Sequence, residues 1–179
     1  MSQRHIAVSP LPHGALLARY APGEDNIAPA YTDAFSTSVP EHRVFADYVH
    51  AFYTTRLFRL ERFILARAGI PSSDEQLLAL LQRRTITFAA WTVEARTHNQ
   101  LLLRDVHGRT RSWLMLVPGE SQTTLYFGSA VVARRPTSGP IRMSWLFRVM
   151  LPLHRLYSRA LLASARSRLS RPRSNGRIG

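Results

Sequence analysis

The sequence predicts an α+β fold in which a curved antiparallel sheet packs on a long C-terminal helix, with elements in the order β-α-α-β-β-β-β-α. Three observations predict it. Residues 85–133 break into segments rich in β-branched and aromatic residues, each bounded by turn formers, the pattern of sequential antiparallel strands. Residues from Val44 to Ala68 place their apolar side chains at helical spacing instead. The segment Trp145 to Leu169 is long and amphipathic, and it is the one long candidate to cover the apolar face of such a sheet.

The four strands are expected at Thr85 to Ala95, Gln100 to Asp105, Arg109 to Val117 and Thr123 to Ala133. The tightest joint is Asp105-Val-His-Gly-Arg109, where glycine can take the positive φ of a short hairpin. A two-residue His107-Gly108 loop would set Arg104 opposite Arg111, whereas a three-residue Val106-His107-Gly108 loop sets Asp105 opposite Arg109. Cross-strand charge favours the second by roughly a few tenths of a kcal/mol. In either register Arg111 and Trp113, two residues apart, share a face.

Ahead of the sheet, residues 1–29 hold Pro10, Pro12, Pro22 and Pro29 with little periodicity, so an irregular arm is expected, with brief extended pieces at Ile6 to Val8 and Leu16 to Tyr20. Tyr31 to Val39 alternates and reads as the first strand. Val44, Phe45, Tyr48, Val49 and Phe52 then fall at helical spacing, as do Leu57, Leu60, Phe63, Ile64 and Ala68 after the β-branched pair Thr54-Thr55. This is one kinked helix or two short ones, stopped by Gly69 with Pro71 beyond. Ser73 and Gln76 offer a capping box for a short helix to about Leu81. Past the strands, a loop from Arg135 to Pro140 leads to the last helix. Proline is welcome in a first helical turn and costly further in, so the stable helix is expected to start at Pro152, with Trp145 to Leu151 as a lead-in. Arg148, Arg155, Arg159 and Arg166 form one stripe of it, and Leu153, Leu156, Tyr157, Ala160, Leu161 and Ala163 the other side. The expected division is a flexible arm over residues 1–10, a single domain over 11–169 and a disordered basic tail over 170–179.

A chain of 179 residues can bury a core without staples. It has no cysteine, which removes disulfides, thiolate metal sites and cysteine nucleophiles. The first ten residues carry no apolar run of signal-peptide length, and no uncharged apolar stretch of about 18 residues occurs, so a soluble cytoplasmic protein is the expectation. The net charge of +13 invites an anionic partner. All 24 basic residues are arginine, however, and five of them (Arg166, Arg168, Arg171, Arg173 and Arg177) lie in the last 14 residues, which contain no acid. The charge therefore reads as background plus a solvated tail. Nucleic acid is not the expected partner, and peripheral contact with an anionic membrane stays open.

Three stretches carry a resemblance: Tyr31-Thr-Asp-Ala-Phe35 followed by the aromatic helix Ala51 to Arg62, the strand pair ending in Trp113-Leu-Met-Leu116, and Pro152-Leu-His154 opening the last helix. Together with the element order they resemble the START and birch-pollen-allergen superfamily (polyketide-cyclase-like, the helix-grip fold), and within it one uncharacterised bacterial family, a domain of unknown function. The resemblance covers roughly residues 11–165. The chain departs from that family at Arg56-Leu-Phe-Arg59, where a proline and a tryptophan are expected, and in its basic tail. The resemblance implies a cavity between sheet and last helix for an apolar or amphipathic small molecule, and no catalytic residues.

The pocket candidates are His154, at the start of the last helix, with Trp91, Trp113 and Tyr126 as aromatic walls, Arg111 as an anchor for a carboxylate or phosphate, and Tyr157 one turn along from His154. Ser158 could accept a hydrogen bond from His154. Asp33 and Glu94 are expected to point outward from their strands, and Glu61 to pair with arginines of its own helix. The seven histidines show no i, i+4 pair for a metal, and neither a phosphate loop nor a dinucleotide fingerprint occurs, so no cofactor is expected. Gly128-Ser129 lacks the flanks of a nucleophile elbow. A small-molecule binding protein is the leading reading. A cyclase or dehydratase using the same cavity and an anionic-surface binder acting through the arginine-rich helix are the alternatives.

Overall fold

A computed structural model describes residues 6–21, 29–132 and 145–170, with backbone alone at 29, 30 and 145–152. Its elements are β1 (Ala7–Val8), a short 3-10 helix (Leu16–Tyr20), β2 (Pro29–Pro40), α1 (Phe45–Tyr53), α2 (Arg56–Arg67), α3 (Asp74–Leu81), β3 (Thr87–Phe88), β4 (Trp91–Arg96), β5 (Gln100–Asp105), β6 (Thr110–Pro118), β7 (Gln122–Val132) and α4 (Trp145–Leu169). The α+β fold is as expected, a curved, unclosed antiparallel sheet in the order β1-β2-β7-β6-β5-β4-β3 with a C-terminal helix against it. No helix among the described residues is long and apolar enough to cross a membrane. The loop expected at 135–140 and the tail at 171–179 lie outside the described residues, as do the first five residues.

Local signals place the helices. Thr54 and Thr55 divide two helices rather than kinking one, because the Thr55 side chain accepts the Phe58 amide at 3.2 Å as the N-cap of α2. Gly69 takes φ +83° just past the end of that helix. Both bonds of the Ser73/Gln76 capping box form at the start of α3.

Four expectations need correcting. The strand expected at Thr85 to Ala95 is broken at Ala89, whose φ of +51° turns β3 into β4. Leu16–Tyr20 is helical rather than extended. Helix α4 runs through Pro152 instead of starting there, since proline removes one N–H from a helix that continues on both sides. The β5–β6 register is the disfavoured one, with Arg104 facing Arg111. The reason is that Asp105 turns its carboxylate onto the loop, where Oδ1 accepts the amides of Arg109 at 2.7 Å and Thr110 at 3.0 Å. Glu94 meanwhile neutralises Arg111 at 2.9 Å.

Two cores result, one on each face of the sheet. On the helical face Phe35, Leu101, Leu103, Leu114, Leu125 and Phe127 pack with residues of α1, α3 and α4. Helix α4 thus shares the cover rather than supplying it alone: it packs on α1, β2 and β7, while α1 crosses the middle, pinned by the Tyr48 hydroxyl donating to the Tyr126 carbonyl at 2.9 Å. On the other face the arm and its 3-10 helix cover Leu102, Trp113, Met115 and Ala130. Their close approach needs Gly128, because a Cβ there would lie 2.6 Å from Leu17 Cδ2 and 2.8 Å from the Asp33 carbonyl.

Candidate functional site

A hollow of about 500 Å3 opens on the helical face, between α2 and α4 and above β4 to β7. Its floor includes Trp91, Ser112, Phe127 and Ser129. Phe52 and Tyr53 of α1 close the back, and Leu57, Leu60, Glu61, Ile64 and Leu65 of α2 form one wall. His154, Tyr157, Ser158 and Leu161 of α4 form the other. Leu60 and Ile64 are 55% and 61% exposed, which places them at the mouth. The residues recur along α2 at the spacing that sets them on one side of the helix.

Four polar groups inside this apolar shell, Tyr157, Glu61, Ser129 and His154, are already engaged. The Tyr157 hydroxyl donates to Glu61 Oε2 and so joins the two helical walls. Burial pushes the Glu61 carboxyl above the usual carboxylate range, and the Tyr157 bond offsets this only in part. Burial and then the Glu61 charge push the Tyr157 hydroxyl up as well, which keeps it a donor. The third group is Ser129, which faces Asp33 across the β2–β7 ladder. Its Oγ donates to Asp33 Oδ1 at 2.6 Å, since an ionised carboxylate only accepts. The single hydroxyl proton being committed there, His154 Nε2 at 2.8 Å is the donor to Ser129 Oγ.

That order, acid then serine then histidine, differs from a nucleophile triad, in which the histidine stands between the other two and takes the serine proton. Its effect is to tie α4 to β2 and β7. The tie extends outward through the Tyr31 hydroxyl, which donates to Asp33 Oδ2 at 2.6 Å and accepts from Arg155 Nε at 2.8 Å. Burial and the Asp33 acceptor hold the Tyr31 hydroxyl pushed up to about 12.

Three buried polar atoms on residues that border the hollow have no hydrogen-bond partner among the described residues. The Ser158 hydroxyl, on a fully buried residue, makes no hydrogen bond, although a helical serine can turn back to the carbonyl four residues earlier, as Ser164 does to Ala160 at 2.8 Å. Trp91 Nε1 is buried and unpaired. The Tyr53 hydroxyl has Ser112 as a polar neighbour but makes no bond of ordinary geometry. Each of these groups loses hydration without a hydrogen bond in return among the described residues.

Of the six pocket candidates, the structure brings Trp91, His154 and Tyr157 together around the hollow. Trp113 and Tyr126 pack together on the opposite face, ring centroids 6.2 Å apart, with Trp113 Nε1 donating to Gln100 Oε1 at 2.9 Å. Arg111 borders the hollow along its strand but sends its guanidinium to that other face as well, to Glu94, to the Tyr20 hydroxyl at 3.0 Å and to the Gly108 carbonyl at 2.5 Å. The alternation that paired Arg111 with Trp113 was sound, and the face it pointed to was the other one. Asp33 points inward, not outward, because Ser129 and Tyr31 meet it there. Glu94 faces away from the hollow, but under the arm rather than in open water. Glu61 takes Tyr157 in place of the arginines of its own helix, of which Arg59 and Arg62 turn to Asp74 instead. Ser158 does not receive His154, which reaches Ser129. Sequence reasoning missed the α2 wall, although Leu57, Leu60 and Ile64 beside Glu61 gave the signal of a helix side with a single acid in it.

Among the described residues no group of three or more histidines and acids is placed to hold a metal ion. No protein-family model, no curated protein and no solved structure matches the chain.

Proposed function

We propose that this chain binds an apolar or amphipathic small molecule in the hollow between α2, α4 and the sheet. The observation that carries the reading is the hollow itself. At about 500 Å3 it falls within the roughly 300–1,000 Å3 typical of ligand sites, with aromatic and aliphatic walls. Kinship with helix-grip proteins, supported by the element order, and a cytoplasmic setting are parts of the same proposal. A cyclase or dehydratase built on His154 would need Tyr126 or the Arg111 guanidinium beside it, and both lie on the opposite face of the sheet, so binding is the reading the geometry favours.

Native mass spectrometry of protein purified without detergent tests it. The expected spectrum contains a noncovalent adduct that is lost on denaturation and is reduced when Leu161→Trp fills the hollow. Uptake of apolar compounds that Leu161→Trp leaves unchanged, in protein that still melts cooperatively, would place any binding elsewhere.

A further inference from the structure

Glu61 is the charged side chain of the hollow that the chain itself leaves unanswered. Arginines outnumber acids by 24 to 11, and Glu41, Asp74 and Glu94 each pair with at least one of them. Glu61 pairs with none among the described residues, and its one hydrogen bond there comes from the neutral Tyr157 hydroxyl, at Oε2. Its Oε1 accepts nothing from them. That oxygen is not shut away as the Ser158 and Tyr53 hydroxyls are, and Glu61 keeps exposed surface where it lines the hollow.

The other ionisable groups bordering the hollow point the same way. The Arg111 guanidinium is turned to the far face of the sheet, where Glu94 and Tyr20 hold it. His154 gives its Nε2 proton to Ser129. Asp105 adds a second acid, whose Oδ1 is taken by the loop amides. An incoming carboxylate or phosphate would therefore lose its hydration, meet two acids and find no free guanidinium among the described residues. A neutral oxygen would leave the Glu61 charge as it is. An ammonium would donate to Oε1 and compensate a charge that lies half-buried between apolar walls.

Resting on the binding function proposed above, we infer that the ligand is an amphiphile with a protonated amine at its polar end, the ammonium donating to Glu61 Oε1 and the hydrocarbon lying among Leu57, Phe127 and Leu161.

The test is a series of equal chain length, dodecylamine, dodecanol and dodecanoic acid, each below its micellar concentration and measured by displacement of a fluorescent apolar probe at pH 8. The net charge of +13 favours the acid in any loose adsorption to the surface, so a preference for the amine reports a specific site. Dodecylamine is expected to bind about tenfold or more tightly than the alcohol and the acid. Glu61→Gln keeps an acceptor for Tyr157 and loses the charge. It should bring the amine to within about threefold of the alcohol while alcohol affinity moves by less than about twofold, whereas a purely structural Glu61 would shift both compounds together. Alcohol or acid binding as tight as the amine, an amine preference that Glu61→Gln leaves intact, or a loss that amine and alcohol share in that variant overturns the inference and leaves the binding function standing. Failure of all three compounds to bind overturns the binding function itself.

Discussion

The two faces of the sheet use the same materials to opposite ends. On the face under the arm every notable polar group is matched: Trp113 Nε1 meets Gln100, the Gln100 amide also donates to the Gly14 carbonyl at 3.0 Å, and Arg111 is held by Glu94 and Tyr20. The residue that would spoil the fit is glycine, at 128. On the helical face, beside the hollow between α2 and α4, polar atoms of Trp91, Ser158 and Tyr53 are buried without a hydrogen-bond partner among the described residues. Two tryptophans in one sheet thus report two kinds of interior. One face is closed by matched polar groups, and the other keeps a hollow with unmatched polar atoms buried beside it.

The comparison can be broken most forcefully on the filled face. Glu94→Leu removes the partner of Arg111, whose side chain is 10% exposed, and should cost about 3 kcal/mol in urea unfolding, because a buried charge is left behind. A loss under about 1 kcal/mol would mean that this face is looser than described. Gly128→Ala comes next, at roughly 1–3 kcal/mol, since the new Cβ meets backbone at Asp33 as well as the movable Leu17. On the hollow face the sign should reverse. Ser158→Ala deletes a buried hydroxyl with no hydrogen-bond partner among the described residues, so its unfolding free energy should be unchanged or higher by up to about 1 kcal/mol.

The smallest effect sharpens the contrast through pH. Burial raises the Glu61 carboxyl in the folded protein, so the native state holds its proton more tightly than the unfolded chain does. Stability from this group is therefore present at low pH and is lost as pH rises from the ordinary carboxylate range through the folded value. Glu61→Gln should flatten that decline and leave the protein no less stable at neutral pH, as followed by melting temperature across pH 4 to 8. A steeper decline in the variant would reverse the assignment.

What could be read in the sequence was what neighbours in the chain decide. The capping box at Ser73, the Gly69 stop and the alternation of Tyr31 to Val39 depend on residues within a turn of each other. What could not be read depends on partners far along the chain. The arm returns across the sheet through Leu16 and Gln100, 84 residues apart, and so buries the face that carries Trp113. Asp33 turns inward for the sake of Ser129, 96 residues away. The β5–β6 register followed Asp105, whose carboxylate found two loop amides, where simple cross-strand charge had favoured the other pairing. The existence of an amphipathic last helix was legible, and its sharing of the cover with α1 was not, because both segments display equally apolar sides.

Tryptophan quenching tests the central distinction most directly. With Trp145→Phe removing the third indole, the emission left comes from Trp91 beside the hollow and Trp113 under the arm. A bromine-labelled dodecanol should quench the variant that retains Trp91 (Trp145→Phe, Trp113→Phe) saturably and leave the variant that retains Trp113 (Trp145→Phe, Trp91→Phe) bright. Saturable quenching of Trp113 with Trp91 unaffected would contradict the account, since the ligand would then enter the face described as solid.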